Sequence, residues 1–298
     1  MNKPTVDILL ATFNGEKYLE EQLESLDRQE DVNVRVWAND DGSTDETLTI
    51  LNRWKARGLI EEISRTRRVG STRVFLNLLL AHADSEFVAF CDQDDIWQPK
   101  KLAIQLLNIV NDKPGCVTSQ RLFIDSFGTV IGASKKLRKS PSFENALIEN
   151  IAPGNTILMN NQAISVINRF QNPPVKHYDS WIYLLLTYFG KVDYIDQPLV
   201  RYRIHEGNHI GLRRFNLRGF LDSAEDFLNQ VRFLREITEI DPGQAKKPSL
   251  VDLSSIGDEK SKAHKVFLIL KLAVERQRRI DNFGMKIVLV ILVLTSRL

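Results

Sequence analysis

The sequence predicts a three-layer α/β fold built around a parallel sheet. Short apolar runs at residues 6–11 and 87–91 are long enough for strands and too short for helices. Runs of that kind suit strands covered on both faces. Stretches of helical periodicity separate them, and a strand–loop–helix order repeated along a chain is the signature of a wound parallel sheet. Acidic loops follow two of the predicted strands, which puts them on one rim, where open α/β sheets take their ligands.

Each element has its own signal. Residues 6–11 (Val-Asp-Ile-Leu-Leu-Ala) lead into the loop Thr12-Phe-Asn-Gly15, after which Tyr18, Leu19, Gln22, Leu23 and Leu26 share one helical face. Residues 32–38 alternate as a strand and end in Asn39-Asp-Asp-Gly-Ser-Thr-Asp45. Asp45 is expected to cap the helix that carries Thr47, Leu48, Ile50, Leu51 and Trp54. A helix over residues 75–81 precedes the strand at 87–91, and shorter strands are expected at 116–119 and 157–159.

Composition narrows the function classes. The chain has 298 residues, 43% hydrophobic and 26% charged, as an ordinary folded protein does. A net charge of +2 gives no general attraction to nucleic acid. Cys91 and Cys116 are too few for a disulfide framework and read as buried thiols in a reducing cytoplasm. No signal peptide is visible, and no apolar stretch approaches the roughly 20 residues of a membrane span, so a cytoplasmic protein is expected.

The chemistry concentrates at Asp92, Asp94 and Asp95, directly after the apolar run. Crowded carboxylates repel, and an arginine or a hard divalent cation, Mg²⁺ or Mn²⁺, relieves them. The plain alternative is a solvated acidic turn capping the next helix, with Pro99 in its first turn. A strand-end carboxylate can also accept hydrogen bonds from a nucleobase or a ribose. Neither Gly-x-Gly-x-x-Gly nor a P-loop occurs, so phosphate charge would fall to a metal and to Arg65, Arg67, Arg68 and Arg73, unless that segment is a solvated loop.

Ala11-Thr-Phe-Asn-Gly15, Asp40-Asp-Gly-Ser-Thr-Asp45 and Cys91-Asp-Gln-Asp-Asp-Ile-Trp97 resemble three successive signatures of family 2 glycosyltransferases, which have the GT-A fold. The last is most similar in form to bacterial rhamnosyltransferase-like members that build O-antigen and other surface polysaccharides. His177-Tyr-Asp-Ser-Trp181 and the segment from Arg201 to Gly211 agree, so the resemblance covers roughly residues 5–212. It implies a catalytic domain over residues 1–212 with a helical extension over 213–298.

The resemblance also implies roles. Asp40 would contact the nucleobase with Thr12 and Asn14 beside it, Asp92 would face the ribose, and Arg73 would help bind the nucleotide-sugar. Asp94, with His205, would hold the metal, and Arg201, Arg203 and His209 are further candidates for a diphosphate contact. Asp179 would be the base that deprotonates the acceptor hydroxyl in an inverting displacement, with Trp181 and Gly154 on the acceptor side. The implied donor is a dTDP- or UDP-linked sugar, dTDP-rhamnose first and a UDP-hexose second; the acceptor is a saccharide or a lipid-linked oligosaccharide. Many relatives carry other residues at Val74 and Gln120, so donor identity does not transfer with the motifs.

Two other classes compete. A nucleotidyltransferase is disfavoured because the first loop lacks a glycine- and arginine-rich phosphate grip. A degenerate binding subunit is disfavoured because Asp40, Asp92, Asp94 and Asp179 occur together. Beyond residue 211 the chain turns helical, with breakers at 241–249 and a basic end: residues 259–298 hold nine Lys or Arg against three Asp or Glu. Eight apolar residues at 287–294 behind Arg276, Arg278, Arg279 and Lys286 favour peripheral contact with an anionic membrane at its inner face, or a subunit contact such as a homodimer.

Overall fold

The computed structural model describes residues 3–82, 84–147, 149–170 and 177–206. In chain order the elements are β1 (Thr5–Thr12), α1 (Leu19–Asp27), β2 (Asn33–Asp40), α2 (Thr47–Ala56), β3 (Ile60–Arg65), α3 (Ser71–Ala81), β4 (Phe87–Asp92) and β5 (Ile96–Trp97). There follow α4 (Lys101–Asn108), β6 (Gly115–Ile124), β7 (Val130–Ala133), α5 (Phe143–Ala146), a 3-10 turn (Gly154–Thr156), β8 (Leu158–Asn160), α6 (Asn161–Arg169), α7 (Tyr178–Phe189) and β9 (Lys191–Arg203). His209 and the expected helical extension over 213–298, with its linker and apolar end, lie outside the described residues.

The strands join in the order β3-β2-β1-β4-β8-β6-β9-β5, with β7 beside β6. The first four, β3, β2, β1 and β4, are parallel, joined by crossover helices as the sequence predicts. The sheet as a whole is mixed, which corrects the parallel expectation. β8 is entered from the 3-10 turn, with no crossover helix, and runs antiparallel to β4 and β6, while β9 is parallel to β6 and antiparallel to β5. Register levels the strand ends that matter: Thr12 lies opposite Asp40 and Ala11 opposite Asp92. The acidic loops therefore share one rim.

Alternation along the strands builds the layers. Val6, Ile8 and Leu10 of β1 and Phe87, Ala89 and Cys91 of β4 join Leu19, Leu23 and Leu26 of α1, Leu51 and Trp54 of α2, and Leu102 of α4 in one core. On the other face the Phe90 ring meets Phe75 of α3 edge-on at 5.5 Å. Also on that face, the buried Asp7 accepts from Arg35 Nε at 2.7 Å and Trp37 Nε1 at 3.0 Å. Burial opposes ionisation of Asp7, but bonds from Arg35, Ser85 and Trp37 outweigh it and hold the carboxyl below its ordinary range. The two cysteines are free and buried, and burial raises both thiols, so Cys91 serves packing.

The chain falls into two compact units. The larger contains the entire sheet; among the described residues the second comprises 142–147, 149–151 and 177–184. Within the second, Ser142 caps α5 by accepting the Asn145 N–H at 3.1 Å, and Tyr183 Oη donates to Asn145 Oδ1 at 2.9 Å. No helix among the described residues is long and apolar enough to cross a membrane.

Helix α4 begins at Lys101, two residues after Pro99, so proline stands ahead of its first turn, not within it. Lys101 is fully buried, with Nζ 3.5 Å from the centroid of the Trp97 ring. Burial lowers its pKa to about 7, against the attraction of Cys91 and Asp95. Between pH 7 and the ordinary lysine value of 10.5 the unfolded chain binds the extra proton, so stability rises with pH across that window. We expect Lys101→Met to remove this slope. Below pH 7 it should raise the melting temperature by at least about 2–4 °C, the shift that 1 kcal/mol gives a chain of this size; thermal melts across pH check both.

Candidate functional site

Three loops meet at the carboxyl ends of β1, β2 and β4. The first, residues 12–15, is held to the second by short bonds: Asn14 N donates to Ser43 Oγ at 2.8 Å and Gly15 N to Thr47 Oγ1 at 2.8 Å. Asn14 itself, at φ +47°, accepts the Thr44 N–H at 2.9 Å. Thr12 Oγ1 lies 3.4 Å from both the Asn39 carbonyl and Asp40 Oδ1. Gly42, at φ +89°, supplies the left-handed turn that lets the second loop fold back over Asp40.

Asp40 has no exposed surface. Its carboxylate accepts from Ser43 N at 3.0 Å and from the Ser43 hydroxyl, and Arg65 Nε stands 3.6 Å away. Its oxygens thus hold the loop together, and the half-exposed Arg65 is the charged group that reaches solvent from this corner. Asp41 reaches the arginine-rich segment: it accepts from Thr66 Oγ1 at 2.7 Å, Val69 N at 2.9 Å and Gly70 N at 2.8 Å. Burial works against its charge, yet these bonds prevail and lower its pKa. The cap position of α2 is Glu46, not Asp45 as the sequence predicts; Asp45, one residue earlier, accepts the Thr47 N–H at 3.1 Å and so fastens the start of the helix from outside it. Arg68 lies over the Phe13 ring at 4.9 Å, and Arg73 is on the exposed first turn of α3. The segment is therefore fastened to the rim, with residues 67–71 exposed to solvent.

The third loop carries the carboxylates. Asp92, half-buried, ends β4. Gln93 turns back: its Oε1 accepts from Phe13 N at 2.8 Å and its Nε2 donates to the Phe13 carbonyl at 3.0 Å. This two-way amide bridge ties the first loop to the third. It also explains Gly15, where a Cβ would lie 2.3 Å from Gln93 Oε1. Asp95 is fully buried, accepting from Arg203 N at 3.2 Å and from Asn155 Nδ2, the residue after Gly154. Burial, and then the charges of Asp94 and Asp92, push its carboxyl well above the ordinary range.

His205 reaches this cluster from 111 positions away, with Nε2 2.9 Å from Asp94 Oδ2. Strand pairing brings it there, since Ile96 lies opposite Arg201 and Trp97 opposite Val200. Arg203 then locks the end of β9. Its side chain is 2% exposed, donates from Nε to the Asp94 carbonyl at 3.0 Å, pairs with Glu21 and lies over the Tyr18 ring at 4.6 Å. His205 meets the same ring at 4.9 Å. Arg203 is thus a buried brace for the acidic loop, which corrects its reading as a diphosphate contact.

Sequence reasoning missed Gln93 and Ser43 and gave Arg203 another role, because each works through backbone groups that residue spacing does not reveal. The two departures noted in the sequence are structural as well: Val74 is in the α3 core, and Gln120 donates to Asp196. Gly154 opens the buried 3-10 turn. Asp179 is in the first turn of α7, in the second unit, where Oδ1 accepts the Ser180 N–H at 2.8 Å. Trp181, expected to wall an acceptor pocket, is 1% exposed; its indole is packing.

Among the described residues no group of three or more His, Cys, Asp or Glu side chains forms a ready metal cage. Asp94 and His205 are two donors beside two further carboxylates. A Mg²⁺ or Mn²⁺ held by that pair would take its remaining positions from water and substrate oxygens.

A specific test targets the Gln93 bridge. We expect Gly15→Ala and Gln93→Ala each to lower stability by about 1–2 kcal/mol, since each breaks the same pair of hydrogen bonds. The double variant should be no worse than either single one, which a denaturant double-mutant cycle measures.

The comparisons agree with this geometry. Residues 7–170 match the model of glycosyl transferase family 2. A dTDP-rhamnosyl transferase of Shigella flexneri, RfbG, is 26% identical over 285 residues, covering 91% of this chain and 94% of its own. Among solved structures, Staphylococcus aureus TarS 1-349 in complex with UDP-GlcNAc superposes at a TM-score of 0.62 with 16% identity, over 90% of this chain and 80% of that one. The mannosyltransferase PcManGT from Pyrobaculum calidifontis, in complex with GDP-Man and Mn²⁺, gives 0.57 with 15% identity over 99% and 87%. With more than half of its length matched by the family model, and with the fold of these transferases, the chain belongs to glycosyl transferase family 2.

Proposed function

We propose that this glycosyltransferase moves a sugar, L-rhamnose from dTDP-rhamnose in the leading reading, onto a hydroxyl of a saccharide or lipid-linked acceptor, with inversion, in the synthesis of O-antigen or another surface polysaccharide. The observation that carries the proposal is the convergence of Asp92 and the Asp94–His205 pair with the loops of β1 and β2 on one rim. The RfbG likeness, which spans nearly the whole of both chains, supports dTDP-rhamnose. The TarS complex favours the second reading, a UDP-linked donor on the same site.

The residues divide the work. Loop 12–15 and residues 40–43, fixed to one another, form the floor for the nucleoside, and Arg65, Arg68 and Arg73 provide positive charge beside it. Asp92 faces the ribose. Asp94 and His205 would hold Mg²⁺ or Mn²⁺, which when bound neutralises charge on the diphosphate and eases its departure. Asp179 takes the proton of the acceptor hydroxyl as that oxygen bonds to the anomeric carbon. The bond from that carbon to the phosphate oxygen breaks, and the nucleoside diphosphate leaves with the electron pair.

Two variants separate these roles. We expect Asp179→Asn to lower turnover by at least about 100-fold with donor affinity nearly unchanged, since only the base is lost. Asp94→Ala should weaken metal-dependent donor binding itself. Product formation and donor calorimetry check both, and near-normal turnover in Asp179→Asn would remove that residue from the role of base.

A further inference from the structure

The β6–β7 hairpin presents apolar side chains outward in a way the transfer chemistry does not use. Phe127 is 90% exposed, Val130 52% and Ile131 55%, and all three fall within five consecutive residues. The turn that presents Phe127 is firmly held. Asp125 Oδ1 accepts from Phe127 N at 2.9 Å and Thr129 N at 2.9 Å, and its carbonyl accepts from Gly128 N at 3.1 Å. Among the described residues β7 pairs with β6 alone, so an apolar strand lies on a sheet edge, a position where soluble chains ordinarily put charge.

Charge arrives just past the strand. Ser134 is fixed to Arg121, donating from N to its carbonyl at 2.8 Å and accepting from its N–H at 2.9 Å. The chain then runs through Lys135-Lys136-Leu137-Arg138-Lys139, so residues 127–139 hold four cations and no carboxylate. Lys136 is paired with Asp196 at 2.5 Å. Arg138 and Lys139, with Lys191 opposite, line an open cleft of about 510 Å³.

We propose that this hairpin and its basic strap seat the protein on an anionic phospholipid surface. Phe127, Val130 and Ile131 enter the boundary between headgroups and acyl chains, and the strap meets the lipid phosphates. A purely ionic polymer would leave the three apolar side chains in water. A two-fold contact with a second copy would set one strap of four cations against another. A lipid surface of negative charge satisfies both halves of the patch. The contact rests on residues 125–139 alone, and it does not depend on which nucleotide the rim takes.

The test is co-sedimentation of the full chain with vesicles of phosphatidylcholine, alone or mixed with phosphatidylglycerol. Binding to the mixed vesicles is expected, released by high salt. Replacing Phe127→Ser, Val130→Thr and Ile131→Thr together should weaken it by about tenfold or more. Lys135→Gln with Lys139→Gln should remove the preference for phosphatidylglycerol, and this pair decides the matter if the apolar variant melts early. No vesicle binding by the natural chain would overturn the proposal. So would binding that survives both sets of substitutions, or a dimer that the hairpin changes dissociate without any effect on vesicle affinity.

Discussion

Like charge at the end of one strand is the constraint around which the rim is arranged. Asp92, Asp94 and Asp95 follow a wholly buried strand, so their repulsion is not relieved by spreading into solvent. The protein answers in two ways. Asp95 is turned inward and kept toward its neutral form, accepting from Arg203 N and Asn155. Asp94 stays partly exposed with His205 against it, and Arg203 donates to its carbonyl. What remains is a site with a local excess of negative charge facing the loops where a nucleoside diphosphate, also negative, would lie. A divalent cation between them would resolve both excesses at once.

Much of the fold was legible because it rests on local patterns. The strands β1, β2 and β4, the helices α1 and α2, and the common rim followed from apolar periodicity and chain order. The antiparallel insertion of β8, and the long β9 that pairs with both β5 and β6, did not. Their placement depends on non-local pairing that a single sequence does not encode in any short window.

The site divides along the same line. Residue type and spacing pointed to the acidic loops, and the family resemblance pointed to His205. They could not say that Asp40 faces inward onto Ser43, that Trp181 is interior, or that Gln93 bridges two loops through its amide. Arg203 is the clearest case. As an arginine in a late segment that the resemblance covers it invited a phosphate role, yet it is 2% exposed, with its charge paired to Glu21 and its Nε on the Asp94 carbonyl.

The central claim is that this rim binds a nucleoside diphosphate together with a divalent cation. It is tested most directly by a thermal-shift panel of nucleoside diphosphates with and without Mn²⁺ or Mg²⁺, since a ligand bound only by the folded chain raises the melting temperature. The account predicts a metal-dependent rise, largest with dTDP; a larger rise with UDP would keep the site and replace the donor. No rise with any nucleotide, in the presence of either metal, would contradict it.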